Sequence, residues 1–428
     1  MRFVCDSTWR WVGDHAVMAG SPHRLFRLTL AGADVARRIE VGDDVPSSVL
    51  VERLLDGGAI HPAPLTGDEV ASCSSAGVGP SEVTVVTPQL GGVVITDGRV
   101  TVDDASEPPL DGAAVRLDVN AGPGGARNAG RAVVDTPFVF FVDADVDVPE
   151  LDPDHPGHPS WWAALLRHVD DPTVGLVAPR VTGDDGSSLD LGEQPGRVRA
   201  GTRISYVPGA ALLVRVAAFD DIAGFDSTLR LGEDVDLVWR LDQAGWRCRY
   251  EPAATVHHRP RPTFSEQLAQ QVKYGSSSGP LALRHPGALA PYASGAWTAA
   301  SWSAVALGRV VIGVVLAVGS ALRLATGGGA TDLDPTTVAA VAFEGHLAAG
   351  RQAQLAIRRA WWPLLVPLLW SRRVRRRVLV GLVASPRRVA KDIAFSIGLW
   401  RSSIATRTLG PIVPRISVGA TGSTRPSR

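Results

Sequence analysis

The run Val139-Phe140-Phe141-Val142-Asp143-Ala144-Asp145-Val146 constrains this 428-residue chain more than any other stretch of it. Four apolar residues bounded by turn residues read as a strand buried on both faces, the form taken by strands of a parallel sheet. Ligands of such sheets bind beyond the carboxyl ends of the strands, which is where Asp143 and Asp145 fall. Two hard carboxylates suit Mg2+ or Mn2+, ions that keep several waters and need only one or two protein ligands when substrate phosphates complete the shell. An ordinary turn, where Asp is common, accounts for the same tripeptide equally well. The neighbouring segments have to decide.

Upstream, Asn120-Ala121-Gly122-Pro123-Gly124-Gly125-Ala126-Arg127-Asn128-Ala129-Gly130 places a glycine-rich loop before a short helix, whose first amides favour a phosphate. Glycine and proline also mark any loop. Downstream, Gly232-Glu233-Asp234-Val235-Asp236 opens a helix whose apolar positions recur at helical spacing. Acids there also stabilise a helix start through its dipole, by about 0.3–1 kcal/mol each.

In order along the chain, these segments resemble the inverting family-2 glycosyltransferases of the GT-A fold. Val83-Thr84-Val85-Val86-Thr87-Pro88 takes the place of the first strand, and Asp103-Asp104-Ala105-Ser106 that of the nucleoside-binding Asp-Asp-Gly-Ser. The Ala-Arg-Asn-Ala-Gly helix, the Asp-x-Asp strand and the Glu-Asp helix follow. Over nearly the whole chain the sequence is also similar to the glycosyltransferases of mycofactocin biosynthesis, through residues 20–28, 345–352, 360–363 and 407–411.

The resemblance implies an α/β GT-A nucleotide-diphospho-sugar transferase domain, with UDP-glucose as donor and a divalent metal, Mg2+ or Mn2+. It implies donor contacts from Pro88, Asp103, Asp104, Arg127, Asn128 and Asp143, with Asp103 or Asp104 on the uracil and ribose. Asp145 would hold the metal, and His257 or His258 would complete its shell. Asp234, with Glu233 beside it, would deprotonate the acceptor hydroxyl, and Gly209 and Ala210 would face the acceptor. A structural histidine is the bland reading of the His pair.

One departure bears on activity. Only eleven residues separate Pro88 from Val100, whereas a parallel crossover usually needs about a dozen or more and typically holds a helix. The aromatic-Asn that follows the first Pro in the family is replaced by Gln89-Leu90-Gly91-Gly92. Either residues 89–100 form an abbreviated connection, or the segments 83–86 and 93–96 pair differently and damage the uridine cleft.

At 428 residues the chain has material for two or three domains. The expected division is a small N-terminal winged-helix-like domain at 1–80, the GT-A domain at 81–285, a helical, apolar and basic membrane-associating region at 286–420, and a disordered tail at 421–428. The first of these could present a peptide-derived acceptor or serve as a stabilising appendage. Formal charge is zero, which gives no argument for nucleic acid, and Cys5, Cys73 and Cys248 are too few and scattered for a disulfide framework or zinc site. The first ten residues carry no secretory pattern. A cytoplasmic setting is expected.

The C-terminal third changes character. Residues 302–322 are almost wholly apolar apart from Arg309, about the length of a span, yet that Arg costs about 2.5–3.5 kcal/mol at a bilayer centre, so an interfacial or buried helix competes. Residues 361–370 hold two prolines and are too short to cross. From 351 to 428 there are sixteen Arg or Lys against one acid, Asp392. Such clusters beside Trp-bearing apolar segments suit the cytoplasmic membrane surface. Gln270-Gln271-Val272-Lys273-Tyr274 only echoes the Gln-x-x-Arg-Trp of chain-elongating synthases, since Lys lacks the planar fork of Arg.

The expected activity is therefore metal-dependent, inverting transfer of glucose from UDP-glucose to the peptide-derived mycofactocin precursor, building β-1,4-linked chains. A membrane-associated polysaccharide synthase with a lipid-linked acceptor and a degenerate, non-catalytic nucleotide-sugar-binding protein are the alternatives.

Overall fold

The computed structural model describes residues 2–64, 78–92, 94, 98–183, 189–259, 263–326, 333–367 and 386–417. Cys73, most of the expected linker, all but one residue of the strand considered at 93–96, the basic run 372–377 and the tail from 421 lie outside the described residues. Internal contacts divide the chain into two compact units, Met1–Arg10 with Val17–Pro260 and Trp11–Ala16 with Arg261–Arg428. The N-terminal module expected at 1–80 falls largely within the first.

That module carries short strands β1 (Phe3–Cys5), β2 (Arg10–Gly13), β3 (Ala16–Ala19) and β4 (Arg24–Arg27), helices α1 (Leu30–Glu40) and α2 (Val49–Asp56), and β5 (Ile60–Pro62), which pairs antiparallel with β1. Both helices begin where the local chemistry says they should: the hydroxyl of Thr29 accepts from the Gly32 amide and that of Ser48 from Val51. Ala33, Ala36 and Ile39 of α1, and Val51, Leu54 and Leu55 of α2, are buried at helical spacing. Acids on the polar side of α2 reach the body of the unit. Arg247 bridges Glu52 (2.5 Å), Asp56 (2.9 Å) and Asp171 (2.9 Å), and Arg197 bridges Asp56 (2.5 Å) and Asp242 (3.0 Å).

The body is a nine-stranded mixed sheet made from β6 (Val83–Gln89), β7 (Val100–Asp104), β8 (Val115–Leu117), β9 (Phe138–Val142), β10 (Val146–Asp147), β11 (Val174–Thr182), β12 (Gly196–Val198), β13 (Ala211–Arg215) and β14 (Arg247–His258). Its order is β10-β14-β11-β13-β9-β6-β7-β8, with β12 on β14. The fully buried β9 lies inside it, parallel to β6 and antiparallel to β13. Its pleat sends successive rings to opposite faces. Phe140 meets Trp161 and Trp162 of α4 (His158–Leu166) edge-on at 5.5 and 5.8 Å, while Phe141 meets Phe219 and Phe225.

The short connection after Pro88 does not change the pairing. β6 runs parallel to β7 with Val86 opposite Val100 and Gln89 opposite Asp103, and its other edge is taken by β9, so the alternative register for 83–86 is overturned. Helix α3 (Gly122–Arg131) crosses against these strands, and Gly130 is what lets it approach: a Cβ there would lie 2.3 Å from Val86 Cγ1.

The second unit is helical. It contains α7 (Phe264–Ser276), α8 (Ser278–Arg284), α9 (Ala296–Ala306), α10 (Val310–Thr326), α11 (Pro335–Ala356) and α12 (Pro386–Ala405), after α5 (Val216–Asp221) and α6 (Glu233–Gln243) of the first. β15 (Ala293–Gly295) and β16 (Arg415–Ser417) add one parallel pair. Backbones of α7 and α12 touch through glycine, since a Cβ on Gly275 would sit 2.0 Å from the Phe395 carbonyl oxygen. The apolar run 302–322 is not one helix: it is divided between α9 and α10 at Leu307-Gly308-Arg309, where Gly308 has φ +82. The two halves pack together, with the Ser301 hydroxyl donating to the Gly313 carbonyl at 2.8 Å. Among the described residues no helix is long and apolar enough to cross a membrane.

Candidate active site

The carboxyl end of β9 delivers Asp143 and Asp145, and the start of α6 delivers Glu233 and Asp234. Between them lies Arg127, on α3, with 1% of its surface exposed. Its Nη2 donates to Asp143 Oδ1 (2.5 Å) and to the Gly209 carbonyl (3.0 Å), and its Nη1 to Glu233 Oε1 (3.2 Å). The Phe225 ring lies 5.3 Å from the guanidinium carbon. Arg127 therefore ties together three segments that sequence alone places far apart, and its planar fork is what makes three simultaneous bonds possible.

Gly209 closes the circuit. Its amide donates to Asp234 Oδ2 at 2.8 Å, and Asp234 Oδ1 accepts from the Val235 amide at 2.8 Å. A Cβ at Gly209 would stand 3.2 Å from Asp234 Cβ and 3.3 Å from Arg127 Nη2, so the backbone can approach only because no side chain intervenes. The next residue, Ala210, accepts the Asp143 amide through its carbonyl at 3.0 Å. Residues 209 and 210 are thus fastened to both acidic segments.

Charge follows from burial. Glu233 is buried, and desolvation together with the adjacent Asp234 carboxylate pushes it up to about 7. Desolvation also raises half-buried Asp234, against the opposing pull of the Gly209 and Val235 amides and Arg127. Arg127 itself is held above its ordinary value, because Asp143 and Glu233 outweigh its desolvation.

Asp145 lies on the open side, its side chain 51% exposed, with His258 Nε2 3.4 Å from Oδ2. β10 and β14 set this pairing: Val146 stands opposite His258 and Asp147 opposite His257. Of the two histidines, His258 is the one whose ring nitrogen stands within 4 Å of the Asp145 carboxylate. A half-exposed carboxylate beside an imidazole fits an octahedral ion that retains waters and takes substrate oxygens. Among the described residues, no group of three or more His, Cys, Asp or Glu is gathered for a cage made wholly by the protein.

The other expected donor residues have internal partners. Asp103 is fully buried and accepts from the amides of Ser106 (2.8 Å) and Leu110 (3.1 Å) and from Arg116; burial alone would raise it, but these bonds hold it at about 2. Asp104 accepts the amides of Ala121 (2.6 Å) and Gly122 (2.9 Å), so two of the amides where α3 begins are taken by a carboxylate of the chain itself. Asn128 exchanges two hydrogen bonds with the Phe225 backbone, 2.8 and 2.9 Å, and Pro88 stands in register with Val102. Sequence reasoning missed Asp236, fully buried and bound at 2.7 Å by Arg240, which also donates to the Ile222 and Gly224 carbonyls. The i,i+4 acid–arginine spacing was the available signal.

Comparison with known proteins gives this arrangement a family. Residues 181–371 match the model described as glycosyl transferase family group 2. The chain is 36% identical over 477 residues to the pre-mycofactocin glycosyltransferase of Mycobacterium tuberculosis (strain CDC 1551 / Oshkosh), covering 96% of this chain and 97% of that one. The chain belongs to glycosyltransferase family 2, alongside the pre-mycofactocin glycosyltransferases. It is a glycosyltransferase, and the α/β GT-A fold expected from the resemblance is the one found. A shorter stretch is 33% identical over 144 residues to the N-acetylglucosaminyl-diphospho-decaprenol L-rhamnosyltransferase of the same organism, covering 32% of this chain and 44% of that one. Among solved structures, a mannosyltransferase from Pyrobaculum calidifontis in complex with GDP-Man and Mn2+ covers 75% of the glycosyltransferase and 87% of its own chain, at 17% identity and a TM-score of 0.37.

Proposed function

We propose that this glycosyltransferase moves glucose from UDP-glucose to a peptide-derived mycofactocin precursor in a single, inverting displacement, extending it with β-1,4-linked glucose. The observation that carries the reading is the fastening of Asp234, Gly209, Arg127 and Asp143 into one connected group beside Asp145. It joins an acid on the acceptor side to acids on the donor side through hydrogen bonds of 2.5–3.2 Å. Relationship to the pre-mycofactocin enzyme supports the acceptor class.

In this reading Asp234 takes the proton of the incoming hydroxyl. Its raised affinity for a proton, set by burial, brings it nearer the working pH, which is the condition for an efficient general base. Asp234 is also oriented, since both of its oxygens are engaged by backbone amides. Arg127 neutralises Asp143 and Glu233 so that the acids can share one small volume. Asp145 and His258 would hold Mg2+ or Mn2+, which when bound neutralises the diphosphate that leaves.

The test uses the purified full chain with UDP-glucose, Mn2+ and the precursor, read by mass spectrometry. Hexose-sized additions are expected, reduced by about 10²–10⁴ in Asp234→Asn. Absence of additions with every precursor form overturns the acceptor. Radiolabelled sugar appearing instead in a lipid extract supports the polysaccharide-synthase alternative. Calorimetry with no metal-dependent UDP binding supports a non-catalytic protein.

A further inference from the structure

Helix α10 is inside out by the standard of a water-soluble protein. Its small residues face its neighbours: Gly313 is buried where a Cβ would lie 2.5 Å from Val305, and buried Ser320 holds His346 of α11 through a 2.7 Å hydrogen bond. Its large residues face outward. Val310, Val311, Ile312, Val314, Val315, Val318, Leu322 and Leu324 are all exposed, Val311 at 77% and Val315 at 63%. Phe343 and Leu347 of the adjoining α11 are exposed too. A helix normally hides its largest apolar side chains, and a contiguous exposed set marks an interaction surface.

Charge says what covers it. Residues 261–428 hold 21 Arg and Lys against 5 Asp and Glu, whereas residues 1–260 hold 22 against 38, so the zero net charge of the chain is a cancellation between its halves. α10 has no acid, and exposed cations stand at both of its ends: Arg309 just before it, and Arg323 in its last turn, 5.9 Å from the Trp297 ring centre. An apolar stripe with long cations at its ends and an indole beside it matches the boundary between acyl chains and anionic headgroups. A second strongly cationic copy of this unit is a poorer match.

Length separates lying on a bilayer from crossing it. The 17 residues of α10 extend about 25 Å at 1.5 Å each, short of a hydrocarbon core of about 30 Å.

We propose that the helical unit docks on an anionic lipid surface by laying the outer face of α10 into it, parallel to the membrane plane, with Arg309 and Arg323 on headgroup phosphates. This is independent of donor and acceptor, so its failure leaves the glycosyl-transfer reading standing.

The experiment is flotation of the full chain with vesicles of phosphatidylcholine alone or with one-third phosphatidylglycerol, at 0.1 M salt. Flotation is expected with the anionic vesicles, at least about tenfold weaker in Val311→Glu/Val315→Glu/Val318→Glu, and weakened about fivefold per cation in Arg309→Gln/Arg323→Gln. Should the Glu variant lose its far-UV dichroism, the Arg variant carries the test alone, because it leaves the packed face untouched. Flotation unchanged in the Arg variant, or absent with anionic vesicles, overturns the proposal. Concentration-dependent dimers dissolved by the Glu substitutions, without flotation, assign the face to a second copy and overturn it as well.

Discussion

The two units use arginine in opposite ways. In the first, acids outnumber bases, and its key arginines are sunk among carboxylates: the side chains of Arg127, Arg167, Arg197 and Arg247 are exposed by 2, 7, 9 and 10%, each with at least one acidic partner. In the helical unit bases outnumber acids fourfold, and one buried acid, Asp392, takes both Arg358 and Arg359. The first unit therefore uses its cations to hold acids in place, where the site needs them. The second carries far more cations than it has acids to pair with them.

The sharpest way to break this comparison is to remove a buried arginine. Arg127→Gln strands Asp143 and Glu233 without their counter-charge, and loss of one partner from a buried pair costs about 3–5 kcal/mol. Urea unfolding should show that drop together with loss of transfer; Arg127→Lys should recover part of the stability but little activity, since a point charge cannot hold three segments. An unchanged urea midpoint in Arg127→Gln would refute the role given to the first unit's arginines.

A smaller effect appears as pH dependence, with two glutamates of opposite sign. Glu251 is buried with His168 (2.8 Å) and Arg167; burial would raise it, but these partners bring it from 4.5 to about 2. The native state holds fewer protons there, so its contribution, roughly 3 kcal/mol, is present above pH 4.5 and lost as pH falls toward 2. Glu233, raised from 4.5 to about 7, does the reverse: its contribution is complete below pH 4.5 and lost as pH rises through 7. Stability followed against pH should lose part of its acid limb in Glu251→Gln and part of its alkaline limb in Glu233→Gln. Below these in size stands Gly209→Ala, expected to change stability by about 1 kcal/mol while lowering turnover about 10–100-fold, because the new Cβ displaces Asp234 or Arg127 by a fraction of an ångström.

What could be read from the sequence was whatever a short window contains. The strand Phe138–Val142 declares itself by five adjacent apolar residues, and the acids at its end by their spacing. The start of α6 was visible in its acidic first turn. What stayed hidden depends on partners far along the chain. The bond of Arg127 to Glu233 spans 106 residues and its bond to Gly209 spans 82. The bonds from the Ala121 and Gly122 amides to Asp104 join residues 17 and 18 positions apart. The approach of His258 to Asp145 joins residues more than a hundred positions apart, which no short window contains. The break at Gly308 needed a backbone angle that composition does not contain, and the charge divide vanished into a total of zero.

The smallest effects should come from α10 itself, and they sharpen the comparison because its two arginines differ in one respect. Arg323 stands over the Trp297 ring at 5.9 Å, a contact worth about 0.5–1 kcal/mol at an exposed site, whereas Arg309 is exposed just ahead of the helix in the turn after Gly308. Arg309→Gln should leave the urea midpoint within about 0.5 kcal/mol of the parent, and Arg323→Gln should lower it slightly more. Both should leave transfer to a soluble acceptor unchanged. If either costs as much as Arg127→Gln, the helical unit's cations are internal ties like those of the first unit, and the contrast between the two halves collapses.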